Sequence, residues 1–136
     1  MRISLLFIFA LSLFQTTLAQ LPAKLSASAE ISLLTCAPGA EMYSMYGHSA
    51  VRVRDPELRL DRVYNYGTFN FGDPDFVMKF VRGKLEYYLQ SYGTRTFKQE
   101  YTRENRRVEE QVLNLTPADV QGIYDFLNTN ELPQNR

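Results

Sequence analysis

The sequence predicts one α+β domain: an antiparallel sheet with short packed helices. Three observations carry that expectation. Short stretches of strict apolar alternation recur along the chain, stretches with helical spacing stand between them, and turn residues punctuate the junctions at Ala37-Pro38-Gly39, Asp55-Pro56, Gly67 and Gly83. A length of 136 residues, 45% hydrophobic and 22% charged, is that of an ordinary single globular domain, which excludes a disordered tail or a low-complexity array.

Residues 1–19 read as a cleaved signal peptide, with a basic start at Arg2, an apolar run over residues 3–14 and small residues ending at Ala19. The chain is therefore expected to be exported. Residues 20–29 lack periodicity and read as a linker, so the domain is expected over residues 30–136. Residues 31–35 make a strand that stops at Pro38-Gly39, and residues 41–46 have room for one or two helical turns before Gly47. From His48 to Arg54 the pattern alternates, with His48, Ala50, Arg52 and Arg54 on one face and Ser49, Val51 and Val53 on the other. Asp55-Pro56 ends that strand, residues 62–66 resume extended structure up to Gly67, and the two pair as a hairpin.

Asp73-Pro74 opens a helix with Phe76, Val77, Phe80 and Val81 on its apolar face, and Gly83 stands where a left-handed cap belongs. Residues 85–92 alternate as a strand. Residues 96–105 are polar with a weak helical preference, and residues 107–115 read as a charged, edge-type strand. Thr116-Pro117-Ala118-Asp119 starts a last helix carrying Val120, Ile123, Tyr124 and Leu127 at helical spacing, beyond which residues 128–136 show no terminating element.

Fifteen basic residues balance fifteen acidic ones, so there is no bulk field to hold nucleic acid, and none is expected as a partner. A single cysteine, Cys36, excludes an internal disulfide and a multi-cysteine zinc site; no metal or cofactor is expected. The single histidine, His48, is the one imidazole available for acid/base chemistry near neutral pH. It stands at the mouth of a strand behind Gly47, well placed for a general base, with Asn65 on the expected neighbour strand as an orienting partner. The other reading is a half-buried structural histidine. Cys36 could pair with His48 as nucleophile and base, but it precedes a Pro-Gly turn rather than a helix N-terminus, which favours an inert buried thiol. The clustered aromatics at 64–71 and 87–92 read as core and sheet surface, or as an acyl-chain or glycan wall. Arg103, Arg106 and Arg107 with Glu100, Glu104, Glu109 and Glu110 read as a solvated ion-pair face, a contact to lipid phosphate being the alternative.

Five blocks in order, Leu33 to Gly39, Tyr46-Gly47-His48-Ser49-Ala50-Val51-Arg52, Tyr64-Asn65-Tyr66-Gly67-Thr68-Phe69-Asn70-Phe71, Lys79 to Tyr87, and Glu104-Asn105-Arg106-Arg107-Val108 with Leu113-Asn114-Leu115-Thr116, are together similar to the N-terminal periplasmic domain (DUF4105) named for Lnb, a bacterial lipoprotein N-acyltransferase. The resemblance implies an incomplete, circularly permuted papain-like fold in which the histidine strand precedes a strand with a polar orienter. By it, His48 matches the family histidine and Asn65 or Asn70 the orienter. It further implies acyl transfer through a thioester, with phospholipid and a lipoprotein N-terminus as partners at a membrane surface. The implied nucleophilic cysteine lies far downstream and has no counterpart up to Arg136, so the sequence is expected to be a partial domain. The alternative expectation is an exported, non-catalytic module that binds lipid or lipopeptide.

Overall fold

A computed structural model describes residues 21–70 and 72–135; the signal-peptide reading over residues 1–19 lies outside them. Five strands, β1 (Glu30–Cys36), β2 (His48–Asp55), β3 (Leu60–Thr68), β4 (Tyr88–Gly93) and β5 (Val108–Val112), form one sheet in the order β4-β3-β2-β1-β5, every neighbouring pair antiparallel. Three helices complete it: α1 (Phe76–Val81), α2 (Thr94–Arg103) and α3 (Pro117–Glu131). The α+β expectation holds. The first four strands are a meander, and α2 then carries the chain from one edge of the sheet to the other.

Alternation along the strands sorts side chains onto two faces. Ile31, Val53, Leu60, Tyr64 and Leu89 point to one, where Val120, Tyr124 and Leu127 of α3 close a core. Leu34, Cys36, Ala50 and Val63 point to the other, under Phe97 and Tyr101 of α2. The start of α3 is a full capping box, Thr116 accepting from the Asp119 amide and Asp119 accepting from the Thr116 amide, with proline in the first turn. The charged strand β5 is indeed an edge.

Several boundaries differ from the sequence reading, among them the start of α1, which falls at Phe76 behind Asp75 rather than at Asp73-Pro74, and three differ for a non-local reason. Residues 21–29 are docked rather than free. Leu25 enters the α3-side core, Tyr124 Oη donates to the Pro22 carbonyl at 2.9 Å, and Ser26 donates through its amide (2.7 Å) and hydroxyl (2.8 Å) to the buried Asp55 carboxylate. One apolar anchor and one distant carboxylate leave no periodic trace. Strand β4 begins at Tyr88, not at 85, because its partner β3 ends at Thr68, which pairs with Tyr88. Finally α3 continues past Leu127 to Glu131, where Glu131 accepts from the Ser91 amide at 2.6 Å, and a 3₁₀ turn (Pro133–Asn135) follows.

Candidate functional site

The site lies on the α2 face, at the end of the sheet where β1 finishes and β2 begins. Cys36 and His48 are register partners across β1 and β2. Between them the chain turns through Gly39, a 3₁₀ turn (Met42–Ser44) and Gly47. Gly47 has φ +77°, and a Cβ there would stand 2.7 Å from the Cys36 carbonyl oxygen, so no other residue lets the chain return this closely to deliver His48. On the other side, Gly67 (φ +98°) forms an irregularity in the β3–β4 ladder beside the imidazole; a Cβ on it would lie 3.6 Å from His48 Cε1.

The imidazole Nε2 donates to Asn65 Oδ1, and Asn65 Nδ2 in turn donates to Tyr92 Oη at 3.1 Å. This chain fixes the tautomer. With the proton on Nε2, the neutral ring presents Nδ1 as its basic nitrogen. Asn70, the other candidate orienter, is elsewhere: its Oδ1 accepts from the Gly72 amide at 3.0 Å in a local turn. The sequence singled out His48 and Asn65 but not Tyr92, whose place in the row becomes visible only from the β3–β4 register.

Cys36 is 2% exposed. Burial pushes its thiol up, and a hydrogen bond shared with Tyr101 and the nearby Arg106 charge offset this only in part. The Tyr101 phenol is also pushed up, first by burial and then by its bond to Cys36. A thiol that stays protonated is a poor nucleophile. The structure thus brings Cys36 and His48 together in the sheet while leaving Cys36 sealed beneath α2.

Arg106 is the residue the sequence misplaced. It belongs to no solvated face: its side chain is 9% exposed. Helix α2 ends in a Schellman turn, with Asn105 left-handed at φ +54°, its amide donating to the Thr102 carbonyl, and the Arg106 amide donating to the Tyr101 carbonyl at 2.9 Å. That reversal folds the guanidinium back over the Tyr101 ring, 4.6 Å from its centroid. Nε donates to the Ala37 carbonyl at 2.9 Å and Nη1 to Glu104 at 2.8 Å. Among the described residues Nη2 is buried with no hydrogen-bond partner. A buried donor left in this way costs about 1–3 kcal/mol.

His48, Asn65, Glu100, Tyr101, Glu104 and Arg106 line a small pocket of about 120 Å³. Tyr43 stands at its mouth and leads into an aromatic cluster, packing edge-on against Phe69 (5.8 Å between ring centroids) and Phe76 (6.5 Å). Helix α1 buries none of its six residues, and Val77, Met78 and Val81 are exposed. Among the described residues no group of three or more His, Cys, Asp or Glu side chains is arranged to hold a metal ion. Nor, among them, is any helix long and apolar enough to cross a membrane.

No curated protein and no solved structure matches the chain. The family model of the Lnb N-terminal periplasmic domain, in contrast, matches residues 22–136, nearly the whole described domain, and the chain belongs to that family.

Proposed function

We propose that this domain supplies the histidine half of a thiol acyltransferase site that moves an acyl chain from a phospholipid to the N-terminal amine of a lipoprotein in the periplasm. The observation that carries this reading is the Tyr92–Asn65–His48 chain, which leaves the Nδ1 nitrogen of His48 as the base beside a pocket. The family membership agrees with it. His48 takes the proton of a thiol; the thiolate attacks the ester carbonyl, a C–S bond forms, the C–O bond breaks, and the leaving alkoxide receives that proton. The amine then attacks the thioester, a C–N bond forms, the C–S bond breaks, and His48 carries the amine proton back to sulfur. Since Cys36 is sealed and the chain has no other cysteine, the nucleophile in this reading comes from outside these 136 residues. The exposed apolar side chains of α1 and the aromatic cluster beside the pocket suit an acyl chain.

The test replaces His48 in the native gene and follows N-acylation of a diacyl lipopeptide in isolated membranes by mass spectrometry. His48→Ala is expected to lower transfer by about 10²–10⁴-fold, the usual range for a general base. Transfer at the wild-type rate in His48→Ala would sink the proposal. The burial of Cys36 also favours a second reading, a module that binds lipid or lipopeptide without turnover. Lipopeptide binding in the absence of any transfer by the wild-type protein would select it.

A further inference from the structure

The geometry points to Arg106 as the anion-binding residue of the His48 pocket, with Glu104 as an internal occupant that an incoming phosphate oxygen displaces. Four observations converge. Arg106 is among the residues that line the pocket with His48 and Asn65. It is built in rather than draped over the surface, since Ala37 fixes Nε and the Tyr101 ring supports its face. Gly39 makes room for Ser44 and for it: a Cβ on that residue would stand 2.4 Å from Ser44 Oγ and 3.2 Å from Arg106 Cζ. Lastly, among the described residues Nη2 is buried without an acceptor. Native structures seldom leave a buried donor in that state.

Glu104, two residues away and 47% exposed, is bonded to this guanidinium through Nη1 alone. A carboxylate so exposed returns to water at little cost, because surface ion pairs contribute little. A phosphate oxygen pair meets Nη1 and Nη2 together in the bidentate arrangement that arginine favours, so the exchange replaces one bond by two. Glu100 and Glu104 both line the pocket and oppose an anion, which makes displacement of Glu104 the condition for binding. A pocket of about 120 Å³ takes a headgroup-sized fragment rather than a whole lipid, below the roughly 300 Å³ at which drug-sized pockets begin. The phosphodiester of the acyl donor is the source we assign. That choice of source rests on the acyl-transfer reading; the anion site itself does not.

Calorimetric titration of the purified chain with dihexanoyl phosphatidylglycerol below its micelle concentration, with inorganic phosphate, and with hexanoate tests this. Wild-type protein is expected to bind the short-chain phospholipid, Glu104→Gln to bind it at least threefold more tightly, and Arg106→Lys about tenfold more weakly. The titration reads binding without turnover, so a failed acyl-transfer proposal leaves this measurement intact. Should Arg106→Lys fail to fold, Glu104→Gln carries the test, because an exposed carboxylate contributes little to the fold. Affinity unchanged by both substitutions overturns the site. Inorganic phosphate bound as tightly as the phospholipid overturns the lipid source, and hexanoate bound as tightly overturns the phosphate assignment.

Discussion

The two faces of the sheet are built from the same strands and put to opposite uses. On the α3 face, Ile31, Val53, Tyr64 and Leu89 meet Val120, Tyr124 and Leu127, and both buried tyrosine hydroxyls are paired, Tyr64 Oη donating to Asn128 at 2.7 Å and Tyr124 Oη to Pro22. On the α2 face, Leu34, Val63 and Phe97 fill only one part, and the row continues into Cys36, His48, Asn65 and Tyr92, ending at a guanidinium with an unmet donor. One face is finished within itself. The other keeps polar groups aligned and one of them unsatisfied, which is how a sheet carries a site without losing its core.

The contrast can be broken most directly at Tyr124, which is fully buried. Tyr124→Ala is expected to lower unfolding stability by about 3–5 kcal/mol in urea titrations, the range for deleting a buried ring. His48→Ala should lie within about 1 kcal/mol of wild type, because its ring is only half-buried; equal losses at both sites would end the distinction.

A smaller effect belongs to Asp55, the carboxylate that ties Ser26 to the β2–β3 turn. Burial alone would raise its pKa, but hydrogen bonds from the Ser26 amide and hydroxyl and from the Leu58 and Glu57 amides together outweigh it and hold it below the ordinary carboxylate value. A depressed folded-state pKa adds stability that is fully present above the unfolded value near 4 and is lost as pH falls through the folded one. Asp55→Asn is therefore expected to cost about 2 kcal/mol at pH 7, in the range for bonds to a charged group, and to flatten the decline of stability below about pH 4. An unchanged acid limb in thermal melts would remove Asp55 from that role.

The smallest change sharpens the contrast within the α2 face. Cys36→Ala should cost about 1 kcal/mol, the scale of a methyl-sized void, and leave acyl transfer unaltered. In the wild-type protein, iodoacetamide at pH 7 should modify Cys36 much more slowly when native than in urea. Labelling of the native thiol at the unfolded rate would return Cys36 to the list of nucleophiles.

Legibility in the sequence followed the same division. The α3 face was readable because period and cap are local: Thr116 and Asp119 stand three residues apart, and Val120, Tyr124 and Leu127 recur on one stripe. His48 and Asn65 were readable as candidates because each alternates on a strand, and their pairing needed only a hairpin. Arg106 was not, since its neighbours Glu104 and Arg107 make any sequence reading favour solvent, and its burial depends on Ala37, 69 positions earlier. Leu25 and Asp55 escaped for the same reason, partners a long stretch of chain away.

The passage of α2 across the sheet has a kinetic meaning. The meander of β1 to β4 is assembled from neighbours in the chain, whereas β5 pairs with β1 across Ser32 and Val112, near opposite ends of the domain. Closing a loop of that length carries a large entropic cost. Arg106 lies on the segment that arrives with β5, and the Arg107 carbonyl accepts from the Ala37 amide at 2.8 Å as the strand docks. The anion-binding wall is thus assembled by the same long-range closure that seats the edge strand, and fraying of β5 would dismantle it while the hairpin carrying His48 and Asn65 remains.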